Sequence, residues 1–205
     1  MTTILIVEDH SAIVDGLRAG LSQVEGLTVQ AVASSLMEGR SVLSRSGPFD
    51  IAIVDVRLGT WSGFELLEVM DTDRTAVVIF SGCVSSAYLE GARRLGARGY
   101  LLKSSPMARL VASVAEVAAG GTAWDRDALQ HRRDHPWRPL TVRERDVVRW
   151  LLAGWSNKQI SHKLGITTKT VESHLTDLYV AHGVHSRSEL ALLADREGWL
   201  DVPAW

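Results

Sequence analysis

The chain has 205 residues, 46% hydrophobic and 22% charged, with a formal net charge of −2, which excludes a disordered tail, a coiled coil or a collagen-like chain. Its length suits one large domain or two small ones with real cores, and the single cysteine, Cys83, excludes intrachain disulfides and a cysteine-cluster zinc site. The start MTTILIVEDH has no basic segment ahead of an apolar one and no apolar run nears the ~18–20 residues of a membrane span, so a cytoplasmic protein without membrane attachment is expected.

Charge divides mildly along the chain. Residues 1–121 carry 10 Lys and Arg against 13 Asp and Glu, residues 122–139 carry 4 against 3, and residues 140–205 carry 8 against 8. A near-neutral C-terminal part does not announce nucleic-acid binding by composition. Any such case must come from arrangement.

Short, β-rich apolar runs occur at Ile4–Val7, Leu27–Val32, Ile51–Val54, Val77–Phe80 and Gly99–Leu102. Runs this short and apolar throughout suit strands buried on both faces of a parallel sheet. Between them the spacing is helical: Val14, Leu17, Leu21 and Val24 share one face, as do Met107, Leu110, Val111, Val114 and Ala118. Five strands alternating with five helical segments predict an α/β, doubly wound five-stranded domain over residues 1–119.

The chemically informative residues stand just past the strand ends. Glu8 and Asp9 follow the first run, Asp55 the third, Ser81 the fourth and Lys103 the fifth. In open parallel sheets, sites form outside the carboxyl ends of the strands, so these groups are expected in one cleft. Clustered carboxylates repel unless a cation sits among them, and hard oxygen donors favour Mg²⁺. Asp55 could then attack phosphorus and become an acyl phosphate, with Lys103 neutralising the phosphoryl oxygens and Ser81 donating a hydrogen bond to one. Taken singly each residue reads more simply, as a solvated acidic pair, a turn aspartate or a loop hydroxyl. Their shared position at one end of the sheet favours the site.

Residues 1–119 resemble the receiver domain of two-component response regulators, through ILIVEDH, IVDVRL, Gly63 eight residues beyond Asp55, VIFSG and GYLLKSSP. The resemblance implies a CheY-like, flavodoxin-like fold, Asp55 as phosphoacceptor, and a Mg²⁺ held by Glu8, Asp9, Asp55 and the Arg57 backbone carbonyl. It also implies a switch pair of Ser81 and Tyr100, and Gly82 as the small neighbour that leaves room for a phosphoryl group. The sequence departs from the family at Leu58-Gly59-Thr60-Trp61-Ser62, where a proline is usual. Glycine there predicts a more mobile loop with an exposed Trp61.

Residues 120–139 break the periodicity and read as an interdomain linker, with a short helix around Asp125–Gln130. From Leu140 the pattern is helical. Thr141 and Glu144 form a capping box, Ser156 caps a helix over Asn157–Leu164, Gly165 makes a tight turn, and Thr167 caps a helix to about His182. A fourth helix is expected over about Arg187–Glu197. Two short helices joined by a glycine turn form a helix-turn-helix, whose second helix can lie in the DNA major groove. Asn157, Thr167, Thr168 and Thr170 at helix starts, with Lys158, Lys163, Lys169 and Arg187, are the candidates for phosphate contacts. Glu172, Ser173 and Thr176 are candidates for base edges. On spacing alone, a small helical bundle used only for protein contacts remains open.

The segment LTVRERDVVRWLLAGWSNKQISHKLGITTKTVESHL closely resembles the LuxR-type helix-turn-helix, over most of residues 140–192. Together the halves resemble a NarL-type response regulator: a receiver followed by a small all-α four-helix domain, residues 140–205. That implies no enzyme but a transcription factor, phosphorylated by a cognate sensor histidine kinase, which dimerises and binds double-stranded promoter DNA. RNA polymerase is a further candidate partner. Glu172 replaces the lysine of many relatives, which predicts selective, modest, dimer-dependent binding with a shallow salt slope. A haloacid-dehalogenase-type phosphatase would need a second aspartate where Arg57 stands, and a pure adaptor would not need the helix-turn-helix. The alternative is a phosphorylation-independent LuxR-type regulator.

Overall fold

The computed structural model describes residues 1–204, so Trp205, the last residue of the expected helical domain, lies outside the described residues. The N-terminal half is an open sheet of β1 (Thr2–Val7), β2 (Leu27–Ala33), β3 (Ile51–Asp55), β6 (Ala76–Ser81), β7 (Gly99–Leu102) and β8 (Ala123–Trp124). The order is β2-β1-β3-β6-β7-β8, every pairing parallel. In the three central strands alternate residues serve opposite faces. Ile4, Ile6, Ile51, Ile53, Val78 and Phe80 pack with Leu17 and Leu21 of α1 (Ser11–Leu21) and Leu110 and Val114 of α5 (Met107–Ala118). Leu5, Val7, Ala52, Val54, Val77 and Ile79 belong to the core on the other face, under α2 (Leu36–Ser46), α3 (Phe64–Leu67) and α4 (Ser86–Arg94). Burial on both faces is why those runs carry no polar alternation.

Two features of the sheet differ from the sequence expectation. The receiver-like sheet has six strands, not five. The sixth, β8, pairs Ala123 with Gly99 and Trp124 with Tyr100, inside the stretch expected as linker. Asp125 then accepts hydrogen bonds from the Asp127 and Ala128 amides and caps α6 (Arg126–Asp134). A two-residue strand carries no periodicity, so only its register on β7 reveals it. The Gly59 loop is also a hairpin rather than a loose segment: β4 (Arg57–Leu58) and β5 (Trp61–Ser62) are antiparallel. Gly59, at φ +60°, supplies the positive φ such a two-residue turn needs at its first position. Trp61 is 54% exposed, as expected.

The C-terminal domain comprises α7 (Val142–Leu152), α8 (Asn157–Leu164), α9 (Thr168–His182) and α10 (Arg187–Arg196). Both capping boxes close reciprocally, Thr141 with Glu144 and Ser156 with Gln159. Gly165, at φ +65°, turns α8 into α9. The Arg138 guanidinium, paired with Glu144 at 2.5 Å, holds that carboxyl down at about 2. Val147, Val148, Leu151, Ile160, Val171, Leu175, Leu178 and Leu190 form the domain's interior.

The helical domain is docked on α4. The Ser85 hydroxyl donates to the Glu197 carbonyl at 2.8 Å, and the Ser86 amide donates to Glu197 Oε2 at 2.8 Å. Tyr88 OH donates to Asp201 Oδ2, and Ser62 Oγ donates to the Asp201 carbonyl at 2.6 Å. Arg145 of α7 holds the segment from its other side by donating to the Leu200 and Val202 carbonyls. Trp199 and Val202, both 1% exposed, join the two interiors into one apolar cluster.

Candidate functional site

The site sits at the carboxyl edge of the sheet. Asp55 ends β3 and is 3% exposed; Glu8, just past β1, is 2% exposed. Lys103, just past β7, places Nζ 2.8 Å from Asp55 Oδ2 and 2.6 Å from Glu8 Oε2. The second contact is an ion pair without hydrogen-bond alignment, which leaves Glu8 Oε2 a buried acceptor with no aligned donor. Asp55 Oδ1 accepts from the Arg57 amide at 3.2 Å. Burial raises the Asp55 carboxyl above its ordinary range and the Glu8 charge adds to this, while Lys103 and the Arg57 amide act in the opposite sense.

Asp9 lies at the rim, its Oδ2 accepting from the Gly59 amide at 3.1 Å, so the hairpin is tied to the acidic cluster. His10, which sequence reasoning did not single out, joins the group: its Nδ1 lies 2.7 Å from Asp9 Oδ1 and 3.0 Å from Glu8 Oε1. Those two carboxylates, Glu8 first, raise the His10 pKa. One donor atom from each of Glu8, Asp9, His10 and Asp55 falls within 4.8 Å of the others. Three carboxylates with an unfilled buried acceptor fit a hard divalent cation such as Mg²⁺.

Two glycines shape the space. A side chain at Gly63 would put Cβ 1.9 Å from the Asp55 carbonyl oxygen, so only glycine lets α3 start so close under the site. A Cβ at Gly82 would meet nothing within 4 Å, so the β6–α4 loop leaves open room there. Ser81, 1% exposed, is turned into its own loop, where its hydroxyl donates to the Cys83 carbonyl at 3.0 Å and accepts from the Cys83 amide at 3.2 Å. Tyr100 is fully buried, and its hydroxyl donates to the same Cys83 carbonyl at 2.8 Å. The Tyr100 ring thus lies inside the fold, behind Ser81 and on the same Cys83 carbonyl.

Arg57 links this cluster to the docked domain. Its Nε donates to Tyr88 OH at 3.2 Å and lies 3.7 Å from Asp201 Oδ2. Sequence reasoning missed this contact surface, made of Ser85, Ser86, Tyr88, Glu197 and Asp201. Its one local signal is the apolar Trp199 and Val202 beyond a polar helix end.

On the helix-turn-helix, Lys169, Glu172, Ser173 and Thr176 all lie exposed on the outer face of α9. Lys158, Lys163, Thr167, Thr168 and Thr170 are also exposed. Thr167 caps α9 through the Thr170 amide, and Lys163 Nζ lies 5.3 Å from the centre of the Trp150 ring. Arg187 and Asn157 are only half-exposed and face each other, Nη1 donating to Oδ1 at 2.9 Å. Arg187 also donates to the Trp155 carbonyl, so these two side chains join α10 to the start of α8.

A family model described as the response regulator receiver domain matches residues 4–115, and one described as bacterial regulatory proteins, luxR family, matches residues 138–194. The chain is 31% identical over 193 residues to the transcriptional regulatory protein MctR of Rhizobium johnstonii, covering 91% of this chain and 90% of that protein. It is 33% identical over 194 residues to the transcriptional regulatory protein UhpA of Escherichia coli, covering 93% and 96%. Among solved structures, the response regulator ChrA of a heme-sensing two-component system matches with TM-score 0.53 and 27% identity over 96% of this chain and 98% of that one. RcsB of Salmonella enterica serovar Typhimurium, bound to the promoter rprA, matches with TM-score 0.69 and 19% identity over 95% and 97%. The second likeness is one of fold.

Proposed function

The chain belongs to the two-component response regulators that join a receiver to a LuxR-type DNA-binding domain, and from that premise we propose that Asp55 is the phosphoacceptor through which a sensor histidine kinase controls promoter binding. The carrying observation is the convergence of Glu8, Asp9, Asp55 and Lys103 at one sheet edge, with Lys103 in contact with two carboxylates at once. In this reading an Asp55 oxygen attacks the phosphorus of the kinase's phosphohistidine, the P–N bond breaks with the histidine imidazole leaving, and Asp55 keeps the phosphoryl group as an acyl phosphate. Lys103 faces the transferred oxygens, and the Ser81 hydroxyl leaves Cys83 to bond one of them. Glu8, Asp9, Asp55 and the Arg57 carbonyl are the groups to hold Mg²⁺, which when bound offsets the repulsion between the acidic cluster and an anionic donor. Nothing in the Gly59 hairpin favours the phosphorylation-independent alternative, since its turn tethers Asp9 instead of displacing it.

DNA reading falls to the outer face of α9, with Lys158, Lys163 and Lys169 toward phosphates and Glu172, Ser173 and Thr176 toward base edges. Asn157 and Arg187 set the angle between α8 and α10 and act on DNA indirectly. That outer face is exposed while the domain is docked on α4. Docking therefore regulates how two copies assemble on DNA, not access to the reading face, and a homodimer is the form that binds. The family are transcriptional regulators, not enzymes; among the described residues no helix is long and apolar enough to cross a membrane. A cytoplasmic location and a contact with RNA polymerase complete the reading.

The test is intact mass after incubation with Mg²⁺ and acetyl phosphate, with Asp55→Asn beside the parent. A single phosphoryl addition that the variant lacks is expected. Equal addition in Asp55→Asn overturns the assignment.

A further inference from the structure

The ligand set that the family resemblance implies for the cation is all oxygen and leaves His10 out, yet the ring stands inside the cluster. Its Nδ1 lies 2.7 Å from Asp9 Oδ1 and 3.0 Å from Glu8 Oε1. Donor atoms held at about 2.1 Å around one octahedral ion stand roughly 3 Å apart along each edge. Both separations are therefore those of neighbouring ligands on a single metal. Asp55 adds a further donor, all four lying within 4.8 Å of one another. Among the described residues no other group of three or more His, Cys, Asp or Glu donors comes together in this way.

The position of the ring follows from the local chain, not from packing. His10 is the N-cap residue of α1, but its side chain makes no capping bond. Its amide donates to Glu8 Oε1 at 3.1 Å, so the Glu8–His10 turn folds the ring back over that carboxylate. The side chain is 68% exposed, so the core does not demand an imidazole there. Glu8 and Asp55 are buried while Asp9 and His10 are exposed, and an ion arriving from solvent meets the last two first. Lys103 does not compete with it on Glu8: the ammonium contacts Oε2, and the ring faces Oε1.

A nitrogen donor changes which ion the cluster favours. Carboxylate and carbonyl oxygens suit Mg²⁺, whereas imidazole suits first-row transition ions, whose affinity for mixed nitrogen and oxygen sites rises from Mn²⁺ toward Cu²⁺. We propose that His10 is a ligand of this site through Nδ1, and that it tunes the site toward a divalent transition ion, with Mn²⁺ held in preference to Mg²⁺. This inference rests on the acidic cluster being the cation site and adds one nitrogen to it. With its hydrogen on Nε2, the neutral ring presents the Nδ1 lone pair to the ion.

The test is pulsed electron paramagnetic resonance of Mn²⁺ bound to the full chain, at about pH 8, where an ordinary imidazole is neutral. Spin-echo modulation from a directly bound ¹⁴N is expected, and labelling with ¹⁵N-histidine should replace it by the ¹⁵N pattern. The other six histidines lie between positions 131 and 185, so His10→Gln, which offers an oxygen instead, should abolish the coupling. In competition titrations that variant should bind Mn²⁺ about tenfold more weakly and Mg²⁺ nearly as well as the parent. Bound Mn²⁺ without a nitrogen coupling, or a coupling that persists in His10→Gln, overturns the assignment and leaves the acidic site standing. An unchanged ratio of Mn²⁺ to Mg²⁺ affinity in the variant overturns the tuning. Failure of both ions to bind the parent defeats the cation site itself, and this inference with it.

Discussion

Replacing Glu197 by alanine should undock the helical domain from the receiver. Glu197 is 3% exposed, yet it is an acid at a domain boundary, held there by partners across the interface. Its Oε2 accepts from the Ser86 amide at 2.8 Å, in the first turn of α4, and its Oε1 lies 3.0 Å from His131 Nε2. A hydrogen bond to a charged group contributes roughly 1.5–3 kcal/mol, and a helix N-terminus adds a few tenths to about 1 kcal/mol for an anion. Undocking returns the carboxylate to water, so a net change of about 2 kcal/mol between docked and undocked forms is a fair figure. That is roughly a 30-fold shift, at 1.4 kcal/mol per factor of ten. The bond from Ser85 Oγ to the Glu197 carbonyl survives in the variant, so the loss is partial. Backbone ¹⁵N relaxation reports it directly: the parent's domains tumble as one body, and those of Glu197→Ala should tumble faster and unequally. Glu197→Gln, which keeps an acceptor without charge, should fall between. Asp195→Ala, two residues away and exposed on the surface, is the control. Joint tumbling of the Glu197→Ala domains, unchanged from the parent, refutes the reasoning.

Gly63→Ala should destabilise the receiver by about 3 kcal/mol in urea unfolding, because its Cβ would sit 1.9 Å from the Asp55 carbonyl oxygen; a parent-like midpoint would show that α3 moves freely. His182 is held neutral at about 4 in the fold against 6.5 ordinarily. Its contribution is therefore fully present above pH ~6.5 and is lost as the unfolded chain takes up the proton on falling toward pH 4. Discounted for partial exposure, the loss from pH 7.5 to pH 5 is about 1 kcal/mol, and His182→Phe should remove that part of the slope in paired urea titrations. On DNA, Lys169→Ala should weaken binding evenly across sequences and lower the salt slope by about one unit. Glu172→Ala should instead relax base preference at one position, by about 1–3 kcal/mol of discrimination. An equal loss on all sequences from Glu172→Ala would make it a surface charge only.

What the sequence disclosed was what local physics writes into it. Apolar runs at Ile4–Val7 and Ile51–Val54 mark buried strands, and the Thr141–Glu144 pair and Ser156 mark helix starts, because each signal needs only neighbours. Glu8, Asp55 and Lys103 were legible for the same reason: each follows its own strand, and parallel strands bring those ends together. The β8 strand was not, since two residues have no period and its pairing depends on β7 (Gly99–Leu102), more than twenty positions earlier. The docking surface was hidden more deeply. Ser85 and Glu197 are 112 positions apart, and neither is unusual in its own helix end. Arg187 and Asn157 looked like DNA contacts for their type, and their mutual hydrogen bond appears only once α10 folds back on α8.

The path from the acidic cluster to the docked domain is short and made of few bonds. Cys83's carbonyl accepts from both Ser81 and Tyr100, and two residues later Ser85 caps α4 while holding the Glu197 carbonyl. If the Ser81 hydroxyl turns to a phosphoryl group on Asp55, Cys83 loses one donor and its amide loses an acceptor. The Cys83 carbonyl is then held by the Tyr100 hydroxyl alone. A second route runs through Arg57, whose amide bonds Asp55 and whose guanidinium reaches Tyr88 and Asp201. Both routes end on the same helix, at its capping turn and at Tyr88 one turn further on. Loss of one or two such bonds is worth about 1–3 kcal/mol, which is the size of an ordinary allosteric coupling. The sign follows from which of these bonds cross to the helical domain: those of Ser85 to Glu197 and of Arg57 and Tyr88 to Asp201 exist only when it is docked, so to the extent that chemistry at Asp55 weakens them, phosphoryl transfer and undocking favour each other.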